Sequence, residues 1–309
     1  MRVTHGFISP DGPCALTIGN FDGLHRGHLV MLDKLKRAAS ARALPTCVLT
    51  FEPHPREFFN PAQAPTRLTS LREKAELLKS AGIDRLHVFR FNKSFAALSP
   101  EAFIEQALVN TLRARWILVG DDFRFGAKRA GDFRLLESLG SQHGYEAEYL
   151  PTVTVDGIRS SSTGVREALA EGNMEKAAQL LGRPYSISGR VIHGDKLGRA
   201  IGFPTANIQL RHNRPPLTGI YAVEVCGIDK NPLRGVSSLG VRPTIKANGR
   251  PTLEAHIFDF DRNLYGQRVR VDFLKKLRDE EKYPDLPSLI AQIKRDVDNA
   301  QSFFATRHG

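Results

Sequence analysis

Apolar and polar residues alternate along this chain in two different ways. In the first half, short apolar runs alternate with stretches in which apolar residues recur every three or four positions. This alternation is typical of a parallel α/β sheet whose helices connect its strands. The predicted strands are Ala15–Ile18, Thr46–Phe51, Arg85–Phe89, Trp116–Val119 and Glu146–Leu150. The predicted helices are His28–Ala43, Ser70–Ala81, Pro100–Leu112, Asp132–Gly144, Thr163–Glu171 and Asn173–Leu181.

The pattern changes near Gly182-Arg183-Pro184, so we predict domains at residues 1–183 and 184–309. Beyond this point, short alternating runs separated by Gly, Pro and Asn predict a small antiparallel β-barrel. The runs are Tyr185–His193, Gly219–Cys226, Arg234–Leu239, Leu253–Phe258 and Gln267–Phe273. An apolar stripe from Leu289 to Ala300 predicts a terminal helix over Leu286–Thr306.

Composition narrows the class of protein. A chain of 309 residues fits two domains of ordinary size. We expect no membrane span and no secretory leader, because no long apolar run is present. Cys14, Cys47 and Cys226 are scattered singly, which fits a reducing cytoplasm better than a disulfide framework or a metal site. The net charge of +11 is spread out, which favours binding of nucleotide phosphates over binding of nucleic acid.

The segment Gly19–His28 reads GNFDGLHRGH and joins a predicted strand to a predicted helix. Unpaired N–H groups and the positive end of the helix dipole favour an anion at such a turn. Glycines let that anion approach the backbone, and His25 and His28 supply donors for charge that develops on a phosphate. The H-x-G-H pattern suits adenylyl transfer, in which an acceptor phosphate attacks the α-phosphorus of ATP and pyrophosphate leaves. The alternative is a surface turn with incidental histidines.

A second candidate phosphate site lies in Arg159-Ser160-Ser161-Ser162-Thr163, before a predicted helix that carries Arg166 in its first turn. Hydroxyl groups, a helix N-terminus and an arginine together suit a phosphate. The alternative is an ordinary helix cap with a solvated arginine.

Two loops at predicted strand ends suit a planar ring. Residues 52–59 form a proline-fixed loop that includes His54 and two phenylalanines, and residues 120–126 combine paired acids with aromatic residues between glycines. Ligands of parallel sheets bind beyond the carboxyl ends of the strands, where both loops begin. The alternatives are a rigid structural loop for the first and a solvated loop for the second.

In the second half, Gly194, Gly198 and Gly202 lead into Phe203-Pro204-Thr205-Ala206-Asn207. Regularly spaced glycines suit a flap whose amides close over phosphates. The side-chain oxygens of Thr205 and Asn207 suit a magnesium ion that bridges phosphates. The alternative is a set of turn glycines in a β protein.

Phosphoryl transfer to a hydroxyl also needs an acceptor for the proton. Glu254 alternates with apolar residues on a predicted strand and is one candidate, although strand glutamates usually face solvent. His256 on the same face is the other candidate. Arg242-Pro243-Thr244 follows a glycine and suits either a phosphate contact or a turn.

With these motifs assembled, the chain resembles the bacterial bifunctional riboflavin kinase/FMN adenylyltransferase family, also called FAD synthetase. The resemblance rests on segments in the family's order: GNFDGLHRGH, TFEPHPREFF, VGDDFRFG with Arg129-Ala130-Gly131-Asp132, SSTGVREAL, SGRVIHGDKLGRAIGFPTAN, GVRPT, and LEAHIFDF followed by LYG. It implies a Rossmann-like nucleotidyltransferase domain that makes FAD and pyrophosphate from FMN and ATP. It also implies a riboflavin kinase barrel that makes FMN from riboflavin and ATP. One departure is Gly164, where the second ATP motif often has a large residue.

The resemblance also implies roles for individual residues. The adenylyltransferase ATP site would contain Gly19, Phe21, Asp22, Gly23, His25, His28, Ser161, Ser162, Thr163 and Arg166. The flavin loops of that domain would contribute His54, Pro55, Asp122 and Phe125. The kinase ATP site would contain Gly194, Gly198, Gly202, Pro204, Thr205 and Asn207. The catalytic residues would be His25, His28, Arg166 and Glu254, with Mg²⁺ held by Thr205 and Asn207 and Glu254 as the base for the ribityl 5′-hydroxyl.

Two rival hypotheses come from other classes of protein. The first is a basic RNA-binding module on a nucleotide-binding fold, which the absence of a clustered basic stripe in the sequence disfavours. The second is a flavin-binding regulator that has lost catalysis, which the complete set of candidate catalytic residues disfavours. The oligomeric state, monomer or transient homo-oligomer, is left open.

Overall fold

The computed structural model describes residues 1–9, 11–155, 157–194, 198, 201–210, 214–241 and 251–307. The chain divides into two compact units. The first contains Met1–Pro65 and Leu71–Ser161, and the second contains Thr66–Ser70 and Ser162–Gly309.

The first unit is built on a six-stranded parallel sheet with the strand order β1-β4-β3-β2-β5-β6. Its strands are β1 (Arg2–His5), β2 (Cys14–Ile18), β3 (Thr46–Glu52), β4 (Arg85–Arg90), β5 (Ala114–Gly120) and β6 (Glu146–Leu150). The predicted parallel sheet is therefore confirmed. Only β1 lacks a predicted counterpart, because Arg-Val-Thr-His has too few apolar residues to be read as a strand. A two-stranded ribbon of β7 (Thr154–Val155) and β8 (Ile158–Arg159) follows.

Helices cover both faces of this sheet. They are α1 (Arg26–Ala41), α2 (Pro55–Phe59), α3 (Leu71–Ser80), α4 (Lys93–Ala96), α5 (Pro100–Phe103), α6 (Phe133–Ser138) and α7 (Gly140–His143). A π-helix, Ile104–Thr111, continues α5 and completes the helix predicted there. The single helix predicted over Asp132–Gly144 is two short helices, because Gly140 lies directly against the carbonyl of Tyr145 and accepts that residue's N–H at 3.0 Å.

The central strand β2 is buried on both faces, as expected for a parallel sheet covered by helices. Cys14, Leu16 and Ile18 pack into one apolar cluster with the π-helix, whereas Ala15 packs into a second cluster with α1. Both clusters fix the sheet in place and leave the loops at the carboxyl ends of β2, β3 and β5 on one edge.

The second unit contains a closed antiparallel barrel with the strand order β10-β13-β12-β11-β14-β9, in which β9 pairs again with β10. Its strands are β9 (Tyr185–Ile192), β10 (Ala206–Ile208), β11 (Gly219–Cys226), β12 (Leu233–Val241), β13 (Pro251–Ile257) and β14 (Arg268–Arg278). The predicted barrel is confirmed. Strand β10 has no predicted counterpart, because its three residues are too few to form a recognisable alternating run.

Helices α8 (Ser162–Ala170) and α9 (Met174–Leu181) belong to this second unit. Val165 and Leu169 of α8 share one apolar cluster with Tyr185 and Phe273 of the barrel. The C-terminal helix Leu286–Thr306, as predicted, packs on the barrel's outer face through Ala300 and other apolar residues. The boundary at residues 183 and 184 stays a prediction about the functional domains.

Among the described residues, none of the helices combines the length and apolar character that crossing a bilayer requires.

Candidate active sites

The loop after β2 runs into the N-terminus of α1 through unusual backbone conformations. Phe21 and Leu24 have positive φ angles of 47° and 44°, although neither is glycine, and both side chains are buried. Such a conformation costs about 1–2 kcal/mol for an ordinary residue. Buried side chains on either side of Gly23 hold the loop in this shape, as is common at functional sites.

His25 and His28 are brought together at the start of α1. Their rings stack with centroids 3.7 Å apart and an angle of 23° between the planes. His25 caps the helix, because its Nδ1 accepts the backbone N–H of His28 at 3.4 Å. Both imidazoles therefore lie at the positive end of the helix dipole, which favours an anion.

Burial sets the charge of His28. Its pKa lies well below the usual value, first because of burial and then because of the nearby charges of His25 and Lys74. The ring is therefore neutral at pH 7. Among the described residues its buried Nδ1 has no hydrogen-bond partner. A buried ring nitrogen without a partner is what a polar ligand at this loop would satisfy.

The serine-rich motif reaches this loop through Ser160. The hydroxyl of Ser160 accepts the Gly27 N–H at 3.1 Å and lies 3.3 Å from Nδ1 of His25. Ser160 is buried, and Ser161 beside it is half-buried in the same unit. The sequence placed Ser160 in the motif but did not select it as a site residue, because a serine run gives no sign of which hydroxyl turns inward.

The remaining residues of the motif belong to the second unit. Ser162 and Thr163 begin α8; Ser162 is half-buried and Thr163 is exposed. Arg166, on the same helix, donates from Nε to the carbonyl of Thr66 at 2.5 Å. The guanidinium is thus fixed at one edge by a backbone contact within its own unit.

The proline-fixed loop after β3 contains a short helix, α2, rather than an open loop. His54 caps that helix: its Nδ1 accepts the Arg56 N–H at 3.1 Å, and its own N–H donates to Glu57 at 3.2 Å. Pro55 occupies the first helical position, where its missing N–H costs nothing. The sequence signal for this helix was therefore present as a capping box with proline.

An aromatic wall joins the two loops that were predicted to meet a planar ring. Ring contacts with centroids 5.4 to 6.0 Å apart link, in order, Phe58, Phe91, Phe95, Phe103 and Phe125. Phe123 stacks on Phe125 at 5.2 Å. The middle members were not selected from the sequence, because their contribution depends on how the strands assemble.

The acidic residues in the second loop have different environments. Asp122 is exposed and pairs with Arg159 at 3.5 Å. Asp121 accepts the hydroxyl and the N–H of Thr152, and the hydroxyl contact is the main reason that its pKa is lowered. Both acids are exposed, but Asp121 fixes the loop through Thr152, whereas Asp122 pairs with Arg159.

A buried lysine also reaches the first site. Lys74 of α3 donates to the hydroxyl of Thr50 at 3.3 Å, and Thr50 donates to the carbonyl of Asn20 at 3.4 Å. Lys74 is buried and contributes to the lowered pKa of His28. The sequence did not single it out, because a lysine within an amphipathic helix is normally solvated.

In the second unit, Thr205, Asn207 and Glu254 come together. Asn207 of β10 lies directly opposite Glu254 of β13 in the antiparallel ladder. The hydroxyl of Thr205 donates to the Glu254 carboxylate at 3.2 Å. The neighbouring His256 contacts the carbonyl of Pro204 through Nδ1 at 2.9 Å. Glu254 therefore faces the predicted phosphate segment, while His256 holds its backbone.

The glycines before this segment are required by close approach. A Cβ on Gly194 would lie 2.5 Å from Cγ of Asn207. Gly198 accepts the Phe203 N–H at 2.8 Å, and a Cβ there would lie 3.3 Å from the Thr205 hydroxyl. Gly202 has a φ of +87°, which favours glycine. Arg242-Pro243-Thr244 lies outside the described residues.

This donor set fits magnesium better than a transition metal. Thr205, Asn207 and Glu254 offer oxygen atoms, and no group of three or more His, Cys, Asp or Glu side chains suited to a metal ion occurs in the described part of the chain. Magnesium is typically held by one or two protein oxygens together with substrate phosphates.

Two family models match the chain in succession. The model described as FAD synthetase matches residues 8–164, and the model described as riboflavin kinase matches residues 181–304. A bifunctional riboflavin kinase/FMN adenylyltransferase of Escherichia coli K12 is 49% identical over 296 residues, which cover 96% of this chain and 94% of that protein. The chain belongs to the bifunctional riboflavin kinase/FMN adenylyltransferase family.

Two other proteins are similar to this chain over nearly its whole length. The bifunctional riboflavin kinase/FMN adenylyltransferase of Pseudomonas fluorescens is 46% identical and covers 99% of this chain and 97% of its own. A crystal structure from Streptococcus pneumoniae, named a macrolide-efflux protein, matches with a TM-score of 0.79 at 30% identity and covers 94% of each chain.

The riboflavin kinase/FMN adenylyltransferase family membership confirms the resemblance, the fold and the activity predicted from the sequence. The enzyme phosphorylates riboflavin to FMN and adenylylates FMN to FAD, with ATP as the co-substrate of both reactions.

Proposed function

We propose that residues 1–183 carry the adenylyl transfer and residues 184–309 carry the phosphoryl transfer, each with its own catalytic residues. The stacked pair of His25 and His28 at the N-terminus of α1 supports the first assignment. The hydrogen bond between Thr205 and Glu254 beside Asn207 supports the second.

In the first reaction, a phosphate oxygen of FMN attacks the α-phosphorus of ATP. A bond forms between that oxygen and the phosphorus, and the bond to the bridging oxygen of pyrophosphate breaks. The protein supplies no nucleophile and acts by positioning and charge stabilisation. His28, whose burial keeps it neutral, donates an N–H to a phosphate oxygen as negative charge develops. His25 and the positive end of the α1 dipole hold the triphosphate.

The other residues proposed for this reaction are taken mainly from their sequence motifs. Gly19, Phe21, Asp22 and Gly23 shape the phosphate loop. Ser161, Ser162, Thr163 and Arg166 form the second ATP motif, in which Arg166 pairs with a phosphate. His54, Pro55, Asp122 and Phe125 lie on the flavin loops beside the aromatic wall, which suits a planar ring.

In the second reaction, Glu254 accepts the proton of the riboflavin 5′-hydroxyl as that oxygen attacks the γ-phosphorus of ATP and ADP leaves. The Thr205 hydroxyl orients the carboxylate through the 3.2 Å hydrogen bond. Gly194, Gly198, Gly202 and Pro204 shape the flap over the phosphates.

Thr205 and Asn207 would hold Mg²⁺ in this site through their side-chain oxygens. When bound, the ion neutralises negative charge on the ATP phosphates.

We also propose that the enzyme acts in the cytoplasm, without a membrane or nucleic-acid partner. Cys14, Cys47 and Cys226 all occur as free thiols, which suits a reducing compartment. Riboflavin, FMN, FAD and ATP are the small molecules that it binds. For the oligomeric state, a monomer and a transient homo-oligomer both fit the sequence.

Two substitutions test whether each domain carries its own reaction. His28→Ala is expected to lower FAD formation from FMN by about 10²–10⁴-fold while FMN formation from riboflavin is retained. Glu254→Ala is expected to do the reverse, by a similar factor. The assay incubates the purified enzyme with ATP, magnesium and either riboflavin or FMN, and separates the flavins by chromatography.

Matched controls keep this test specific. His143→Ala removes a histidine from the end of α7, and Glu224→Ala removes a partly buried strand glutamate from β11. Both controls should keep both activities within about twofold, as surface changes usually do. If His28→Ala and Glu254→Ala each damaged both reactions equally, the two-site proposal would be wrong.

A further inference from the structure

The hydroxyl of Ser160 sits between the start of α1 and the ring of His25. It accepts the Gly27 N–H at 3.1 Å and lies 3.3 Å from Nδ1 of His25. Only 6% of Ser160 and 7% of His25 is exposed, so water does not compete freely for these contacts. A Cβ on Gly27 would lie 3.0 Å from the Ser160 carbonyl and 3.1 Å from Nδ1 of His25, which shows how closely the three residues pack.

The second contact of the ring nitrogen decides which atom donates. The backbone N–H of His28 donates to Nδ1 of His25 at 3.4 Å, so this nitrogen carries a lone pair and not a proton. A serine hydroxyl can donate one proton and accept at two lone pairs, and the Ser160 oxygen accepts the Gly27 N–H. In the 3.3 Å contact with Nδ1 the Ser160 hydroxyl is therefore the donor.

Two donors therefore converge on the same ring nitrogen. A proton on Nδ1 of His25 would face the N–H of His28 and the hydroxyl of Ser160 at once. Nδ1 is consequently the acceptor, and the neutral ring carries its proton on Nε2. An Nε2–H group is the donor that a phosphate oxygen needs.

We propose that Ser160 is a positioning residue for adenylyl transfer: its hydroxyl fixes His25 in the Nε2–H tautomer and anchors the Gly27 amide at the start of α1. This inference rests on the proposed role of His25 at the ATP phosphates. It extends that role, because it explains why His25 faces the substrate as a hydrogen-bond donor rather than an acceptor.

Without the hydroxyl, one of the two donors that select the tautomer is lost, and the Gly27 N–H loses its acceptor. The His28 N–H at 3.4 Å is the weaker of the remaining constraints. We expect Ser160→Ala to lower kcat/KM for FAD formation from FMN about tenfold, the scale of one lost hydrogen bond that orients a reacting group. Ser160→Thr keeps the hydroxyl and should recover most of the activity.

The experiment measures three quantities in the full-length enzyme. The first two are kcat and KM for FAD formation from FMN and for FMN formation from riboflavin. The third is the tautomer of His25, read from the ¹⁵N shifts of the ring nitrogens in protein labelled at histidine and assigned by comparison with His25→Ala. Ser138→Ala, at the exposed end of α6, is the matched control and should change none of them.

The expected result for Ser160→Ala is a lower kcat for FAD formation, an unchanged rate of FMN formation and a ring of His25 that exchanges between both tautomers. The ratio of the two activities in the same sample corrects for any loss of folded protein. An unchanged ratio, or an Nε2–H tautomer that persists without the hydroxyl, overturns the inference.

His25→Ala separates this inference from the proposed function. If His25→Ala keeps full FAD formation, the proposed role of His25 is itself wrong. If His25→Ala loses FAD formation while Ser160→Ala keeps it within twofold, only the inference about Ser160 fails.

Discussion

Gly194→Ala places one methyl group against a residue that we propose to hold magnesium. The added Cβ would lie 2.5 Å from Cγ of Asn207, whereas ordinary contacts of this kind begin at 3.4 Å. The Asn207 side chain must therefore move by about 1 Å, and a misplacement of that size in a reacting site costs about 10²-fold in rate. We expect kcat/KM for FMN formation to fall about a hundredfold, or about 2.7 kcal/mol.

The assay measures both reactions of the same chain, so that FAD formation is the internal control for FMN formation. Formation of FMN from riboflavin should collapse, while formation of FAD from supplied FMN should stay within about twofold. Gly194 does not have a positive φ, so alanine brings no backbone strain. A loss of global stability would come only from overpacking, about 1–3 kcal/mol, and urea unfolding followed by circular dichroism measures it separately from activity.

A double-mutant cycle with Asn207→Ala tests whether Asn207 is the residue that is displaced. If Gly194→Ala acts by moving Asn207, it should add little in the Asn207→Ala background, because the two sites are in contact. Full additivity of the two losses, or a Gly194→Ala enzyme with more than half of its kinase activity, would refute this reasoning.

Three further outcomes are expected. Burial lowers the pKa of His28, so below about pH 6.5 the unfolded chain binds a proton at this residue that the folded chain does not bind. The free energy of unfolding should therefore fall with decreasing pH, by up to about 1.4 kcal/mol per pH unit, until the lowered pKa is reached. Urea midpoints measured between pH 5 and 7 should show a smaller slope in His28→Gln. Asp296→Ala should destabilise the second unit by about 3 kcal/mol in urea unfolding, because it leaves Arg278 without the buried carboxylate that it contacts at 2.8 and 2.7 Å. Removing magnesium with a chelator should abolish FMN formation, and added magnesium should restore it; activity that persists after dialysis against the chelator would contradict the proposed role of Thr205 and Asn207.

Much of the fold was predictable because it depends on local periodicity. Apolar runs that alternate with helical spacing predicted the parallel sheet. The change near residue 182 to short runs of alternating apolar and polar residues predicted the barrel. Strand β1 escaped prediction because its stability comes from pairing with β4 and from His87, whose ring contacts Thr4 at 2.8 Å and the Gly6 carbonyl at 2.8 Å. Such contacts between distant parts of the chain leave no local pattern.

The residues of the candidate sites also differ in whether a local sequence pattern could predict them. His25, His28, Thr205 and Asn207 lie within short motifs whose spacing is itself the signal. Lys74 of the first site does not, since it arrives from a different helix with a side chain that elsewhere would be solvated. The pairing of Asn207 with Glu254 also required the ladder between β10 and β13, which brings together residues 47 positions apart.

The two proposed sites offer opposite chemistry to the phosphates of ATP. At the first, the proposed phosphate-binding groups are the imidazoles of His25 and His28 at the positive end of α1, and burial keeps His28 neutral. A neutral N–H donor is not paired with a counter-ion before the reaction, so it is available to the negative charge that develops on the phosphate. At the second, Thr205, Asn207 and Glu254 bring oxygen atoms together, and oxygen atoms facing phosphates repel them unless a cation lies between. The identity of the converging atoms, more than the fold around them, therefore supports our proposal of magnesium at the barrel residues and of hydrogen-bond donation by the paired histidines at the sheet.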